Sequence, residues 1–181
     1  MNSMRMMWTT ALLSVGFMIA ACGGNTSPDG PTNPLGQSAN GAFYAPAKEF
    51  AKAHPTRAEG KSWDGWCAAL MVEFGKVPAA GDAIDAYKLS HIESKDESKA
   101  PVGALHWWKI SDTVYHVGVD LNGGGDTVFM ATTFISESWG ATGKDADAIG
   151  VNSVDGYSKK NPSNPAYLGW SKDYAGAELK P

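Results

Sequence analysis

Two periodicities divide the chain. Cys67, Leu70, Met71 and Phe74 recur at i, i+3, i+4 and i+7, the apolar stripe of one helix face. Forty-odd residues later the period changes to two. Tyr115, Val117, Val119 and Leu121 alternate with His116, Gly118 and Asp120, which predicts a strand with two different faces.

Other elements follow from the same pattern. Tyr44 to His54 has helical spacing, and Pro55 closes it. Ser62 or Asp64 can cap the helix that begins near Cys67, and Gly75 and Pro78 stop it. A third helix is predicted from Gly81-Asp82 to about His91, then a charged loop from Glu93 to Lys99. Strands are predicted at Gly103 to Ile110, Thr113 to Leu121 and Thr127 to Ile135. The last two are joined by the turn NGGGD. A short helix around Val154 to Tyr157 and a strand near Tyr167 to Trp170 complete the series. Helices first and an antiparallel sheet afterwards is an α+β pattern.

The N-terminus differs. One positive charge, Arg5, precedes the apolar run WTTALLSVGFMIAA, the anatomy of a secretory signal too short for a stable span. Ile19-Ala20-Ala21-Cys22 resembles the bacterial lipobox, in which the cysteine is acylated and becomes the new N-terminus. Residues 1–22 are therefore expected to be a lipoprotein signal. Gly23 to Ala42 is Gly, Pro, Ser, Thr and Asn without periodicity, a flexible tether that would hold a domain of residues 43–181 off a lipid surface. The expected location is the bacterial envelope, at the outer membrane if the cell has one, because Gly and not Asp follows Cys22.

Composition narrows the partners. The 181 residues are 43% hydrophobic with a net charge of -4, so a sizeable core is available and no basic patch invites nucleic acid. There is no HExxH, no CxxC and no histidine pair at metal spacing, so no metal or cofactor is expected. GGG at Gly123 to Gly125 leads into a strand rather than a helix and is no phosphate loop. No G-x-S-x-G is present.

If Cys22 carries lipid, Cys67 has no partner, because the chain holds 2 cysteines. With Asp64 as cap, Cys67 would sit at the third helical position, where the helix dipole and free N–H groups favour a thiolate of lowered pKa. A thiolate nucleophile needs an imidazole and a group to orient it. Of four histidines, His54 and His91 fall at helix ends and His106 beside two tryptophans, a backup; His116 shares its strand face with Gly118, which would leave room beside the ring.

WDGWCAALMVEFG, APVGALHWWKI and YHVGVDLNGGG together resemble the NlpC and CHAP groups of bacterial cysteine peptidases, with the cysteine opening a helix and the histidine 49 positions later on an "HVG" strand. AYLGWSKDYAG, Ala166 to Gly176, resembles the close of some members. The resemblance implies a papain-like α+β fold, N-terminal helices packed on a small antiparallel sheet. It also implies cleavage of peptide or amide bonds in peptidoglycan, with peptidoglycan or muropeptides as partners. The alternative is a decayed member that keeps the groove as a binding module. The family's third, polar residue has no clean match. A hairpin centred on Gly124 would pair residues whose numbers sum to 248, which puts Thr132 opposite His116. A slip of one would bring Thr133 there, and Asp120 on the histidine's own face is another choice.

Overall fold

Residues 42–140 and 148–181 are described in the computed structural model. The proposed acylation site Cys22 and the tether, apart from Ala42, lie outside them, as does the unit Met1–Pro31. No helix among the described residues is long and apolar enough to cross a membrane.

The architecture is α+β. Three helices come first, α1 (Tyr44–Ala53), α2 (Cys67–Gly75) and α3 (Ala83–Leu89). Seven strands follow: β1 (Ile92–Ser94), β2 (Leu105–Lys109), β3 (Tyr115–Asp120), β4 (Val128–Ala131), β5 (Glu137–Ser138), β6 (Ile149–Asn152) and β7 (Ala166–Ser171), with α4 (Val154–Lys160) before the last. They form one antiparallel sheet in the order β1-β7-β2-β3-β4-β6-β5.

The sheet packs on both faces, although the alternation in β3 marks only one of them as apolar. Trp107, Val117, Val119, Phe129, Ile149 and Val151 join Leu70, Met71 and Phe74 of α2 and Ala47 and Ala51 of α1 in the main core. Each of the large side chains contributes roughly 1.5–3 kcal/mol by burial. Trp108, Val128 and Met130 point the other way and pack with Val154 and Tyr157 of α4. Gly118 is on this second face. A Cβ there would lie 2.7 Å from Val128 Cγ1 and 3.0 Å from the Phe129 carbonyl, so its missing side chain lets β4 approach. The room beside His116 expected from Gly118 is thus filled by β4.

The expected register is met where the ladder forms: Val119 pairs with Phe129 and Asp120 with Val128. Each of Gly123, Gly124 and Gly125 has φ between 77° and 84°, a conformation that favours glycine. The return strand stops at Ala131, four residues short of expectation. Three strands escape the sequence pattern. β1 occupies part of the charged loop, and β5 and β6 are short. α2 starts at Cys67 with Trp66 as its cap residue, so Cys67 is the first helical residue rather than the third. Asp64 turns elsewhere: its Oδ1 accepts the Thr133 N–H at 3.1 Å.

Candidate active site

α2 delivers Cys67 to the edge of β3 at a place where that edge is free. Asp120 exchanges hydrogen bonds with Gly103 and Ala104 on the β2 side, and Leu121 donates to Thr127 on the β4 side. Odd-numbered residues of β3 therefore turn their N–H and C=O groups toward β4. The ladder with β4 covers Val119 and Asp120, which leaves Tyr115 and Val117 open. The Cys67 thiol fills that place. Sγ lies 3.9 Å from the Tyr115 carbonyl and also takes the Val117 N–H. The sulfur is thus seated against the backbone on both sides of His116, and Cys67 is among the residues that line a cavity of about 260 Å³, together with Trp66, Asp82, Ile84, Val114 and Tyr115.

The electrostatics oppose the expectation of a ready thiolate. Burial pushes the Cys67 thiol up to about 11, although the N–H groups of Val117, Ala68 and Cys67 itself pull it down. The helix start does favour the anion, as expected, but Cys67 is only 5% exposed and desolvation wins. Burial likewise pushes His116 down to about 3. At neutral pH the pair is a neutral thiol and a neutral imidazole.

The His116 ring lies on the α4 face. It stacks on Tyr157 with centroids 4.5 Å apart and 17° between planes, and Trp108 flanks it at 5.7 Å. Its Nε2 is buried without a hydrogen-bond partner among the described residues. Tyr157 and Trp108 were not foreseen. The sequence pattern of Val154 to Tyr157 carried the helix but not the ring stacked on the histidine.

The candidates for a third residue are corrected. Thr132 is buried, but its Oγ1 accepts the Phe134 N–H at 3.3 Å and makes no bond to the imidazole. Thr133 is the residue whose N–H is held by Asp64. Asp120 is committed elsewhere. Its carboxylate accepts from the N–H groups of Asn122, Gly123 and Gly125 at 2.6–3.1 Å and meets His106 Nε2 at 2.9 Å. His106 Nδ1 is 2.7 Å from the Tyr167 hydroxyl. The consistent assignment has Nε2–H donating to the Asp120 side chain and the Tyr167 hydroxyl donating to Nδ1. This closed Tyr–His–Asp chain fixes the glycine turn. His54 and His91 are exposed, and neither lines the Cys67 cavity.

No group of three or more His, Cys, Asp or Glu side chains able to hold a metal ion is present among the described residues. No family model matches the chain, and no curated protein or solved structure matches it either.

Proposed function

We propose that the chain is a cysteine hydrolase of papain-like, NlpC or CHAP type, in which Cys67 attacks a peptide or amide carbonyl of peptidoglycan and His116 carries the proton. The observation that supports this reading is the seat of Sγ against the backbone flanking His116, at the wall of a groove open to solvent. Across a separation of 49 residues in sequence, the thiol meets the backbone of the two residues that flank His116, while the imidazole itself lies on the α4 face against Tyr157. The N–H groups of Cys67 and Ala68 at the helix start would hold the oxyanion. Proton transfer requires a ring nitrogen of His116 to close on Sγ, a contact that in such enzymes tightens when substrate arrives. Acylation at Cys22 would place the activity at the bacterial envelope, tethered to a membrane by residues 23–42.

A second reading has its own support. A thiol raised to about 11, an imidazole lowered to about 3 and an unoccupied third position fit a groove that binds peptidoglycan without turnover. Incubating the full-length, detergent-solubilised chain with muropeptides separates the two. New amino or carboxyl termini by mass, absent with Cys67→Ala, support the hydrolase. Retention on peptidoglycan without new termini supports the binding module.

A further inference from the structure

Trp66 stands apart from the other tryptophans of the described residues. Trp63, Trp107, Trp108, Trp139 and Trp170 are at most 8% exposed. Each of those five donates its indole N–H to a protein acceptor: the His54 carbonyl, Ser171, Ser158, Glu137 and the Asp96 carbonyl. Trp66 is 49% exposed, and its N–H has no acceptor among the described residues. Burial and hydrogen bonding account for five of the rings and not for this one.

Its surroundings hold the ring in place. The Arg57 guanidinium lies 3.6 Å from the centroid, a close cation–π stack on one face. Arg57 Nε is buried without an acceptor, so the indole is what the guanidinium rests on. The rest of the ring borders two cavities, the one at Cys67 and a neighbour of about 230 Å³ lined also by Val72, Glu73 and Ala79. Both cavities share Trp66, Ala68, Ala69 and Asp82. The two alanines keep the α2 wall low. Asp82 is exposed, and its side chain caps nothing at the start of α3.

A half-covered indole with a free N–H, across a shallow groove from an uncommitted carboxylate, has the chemistry of a saccharide site. A pyranose offers an apolar C–H face to the ring, oxygens to the N–H, and hydroxyl donors to the carboxylate. We propose that the groove over α2 is a carbohydrate subsite, with Trp66 as its stacking platform and Asp82 as its hydroxyl acceptor. This rests on the reading above only in taking the Cys67 groove as the ligand site. If that reading holds, the enzyme engages the glycan strand as well as the peptide it cleaves.

The test uses the full-length Cys67→Ala variant in detergent, so that no turnover intervenes. Titration with a β-1,4-linked N-acetylglucosamine tetramer and with peptide-free glycan strands is followed by tryptophan fluorescence and by calorimetry. Saturable binding with a fluorescence change is expected. Trp66→Ala should remove the fluorescence change and weaken binding at least about tenfold. Arg57→Gln and Asp82→Asn should each weaken it about threefold with unchanged circular dichroism. Absence of saccharide binding, or full affinity in Trp66→Ala, overturns the proposal. So does Trp66-dependent binding of a stem tripeptide with no response to either saccharide, which would assign Asp82 to an amine. Saccharide binding in a protein that never cleaves muropeptides leaves this subsite in place and removes the hydrolase. Cleavage without saccharide binding does the reverse.

Discussion

Two histidines on neighbouring strands share one face of the sheet and have opposite circumstances. His106 stands opposite Gly118, and His116 opposite Trp108. Both are buried, at 0% and 4% exposure. His106 has a partner on each ring nitrogen, in a chain that runs from Tyr167 to Asp120 and on to the N–H groups of the glycine turn. His116 is held by stacked rings, with Nε2 unpaired. Burial is therefore not what distinguishes the proposed catalytic imidazole from the structural one. A satisfied network fixes a structure and has little left to offer a substrate. An unsatisfied buried nitrogen costs stability, and such groups are found where function keeps them.

The comparison breaks most sharply on turnover. On the proposed hydrolase reading, His116→Ala and Cys67→Ala are each expected to lower muropeptide cleavage by about a thousandfold or more, since a nucleophile and its base act as one unit. His106→Gln should leave the folded protein's rate within a few-fold. A collapse of both rates would show that the two histidines do not differ in the way their partners imply.

Stability should rank them in reverse. Asp120→Ala strips an acceptor from His106 and three backbone N–H groups and is expected to cost about 3–5 kcal/mol in urea unfolding. His116→Phe replaces an unsatisfied ring by an apolar one between Tyr157 and Trp108 and should fall within about 1 kcal/mol of the parent.

Acid sharpens the contrast. His116 titrates near 3 when folded and near its ordinary 6.5 when unfolded, so the unfolded chain binds the proton more tightly. Its contribution is complete above pH 6.5 and is lost as pH falls toward 3, a loss on the order of a few kcal/mol. Urea midpoints of His116→Phe should fall less steeply over that window than those of the parent.

The thiol gives a smaller effect. With its pKa near 11 rather than 9.0, Cys67 should react with iodoacetamide at pH 7 about a hundredfold more slowly than in the unfolded chain. Alkylation as fast as in the unfolded chain would mean that the thiol is not desolvated. Smallest of all is Thr132→Val. Its hydroxyl serves the Phe134 N–H and not His116, so cleavage should change by less than about threefold.

Much of the fold was legible because it is local. The helical stripe at Cys67, the alternation in β3 and the glycine turn specify their elements through period and backbone conformation. The centre of that turn then sets the Val119–Phe129 register. β1, β5 and β6 were not legible, since strands of two to four residues carry too few alternations to stand out. Trp66 looked in sequence like the other tryptophans of residues 43–181, and only its exposure and its contacts in the fold set it apart.

By itself, then, the sequence determined that a cysteine would open a helix and that a histidine would share a strand face with Asp120. It did not determine their chemistry. Tertiary packing decided that Asp120 pairs with His106, that β4 leaves β3 early enough to admit the thiol, and that both Cys67 and His116 sit neutral. The reason is physical. Periodicity is a property of consecutive residues, whereas the charge state of a buried group depends on how much water and which partners the rest of the chain leaves it.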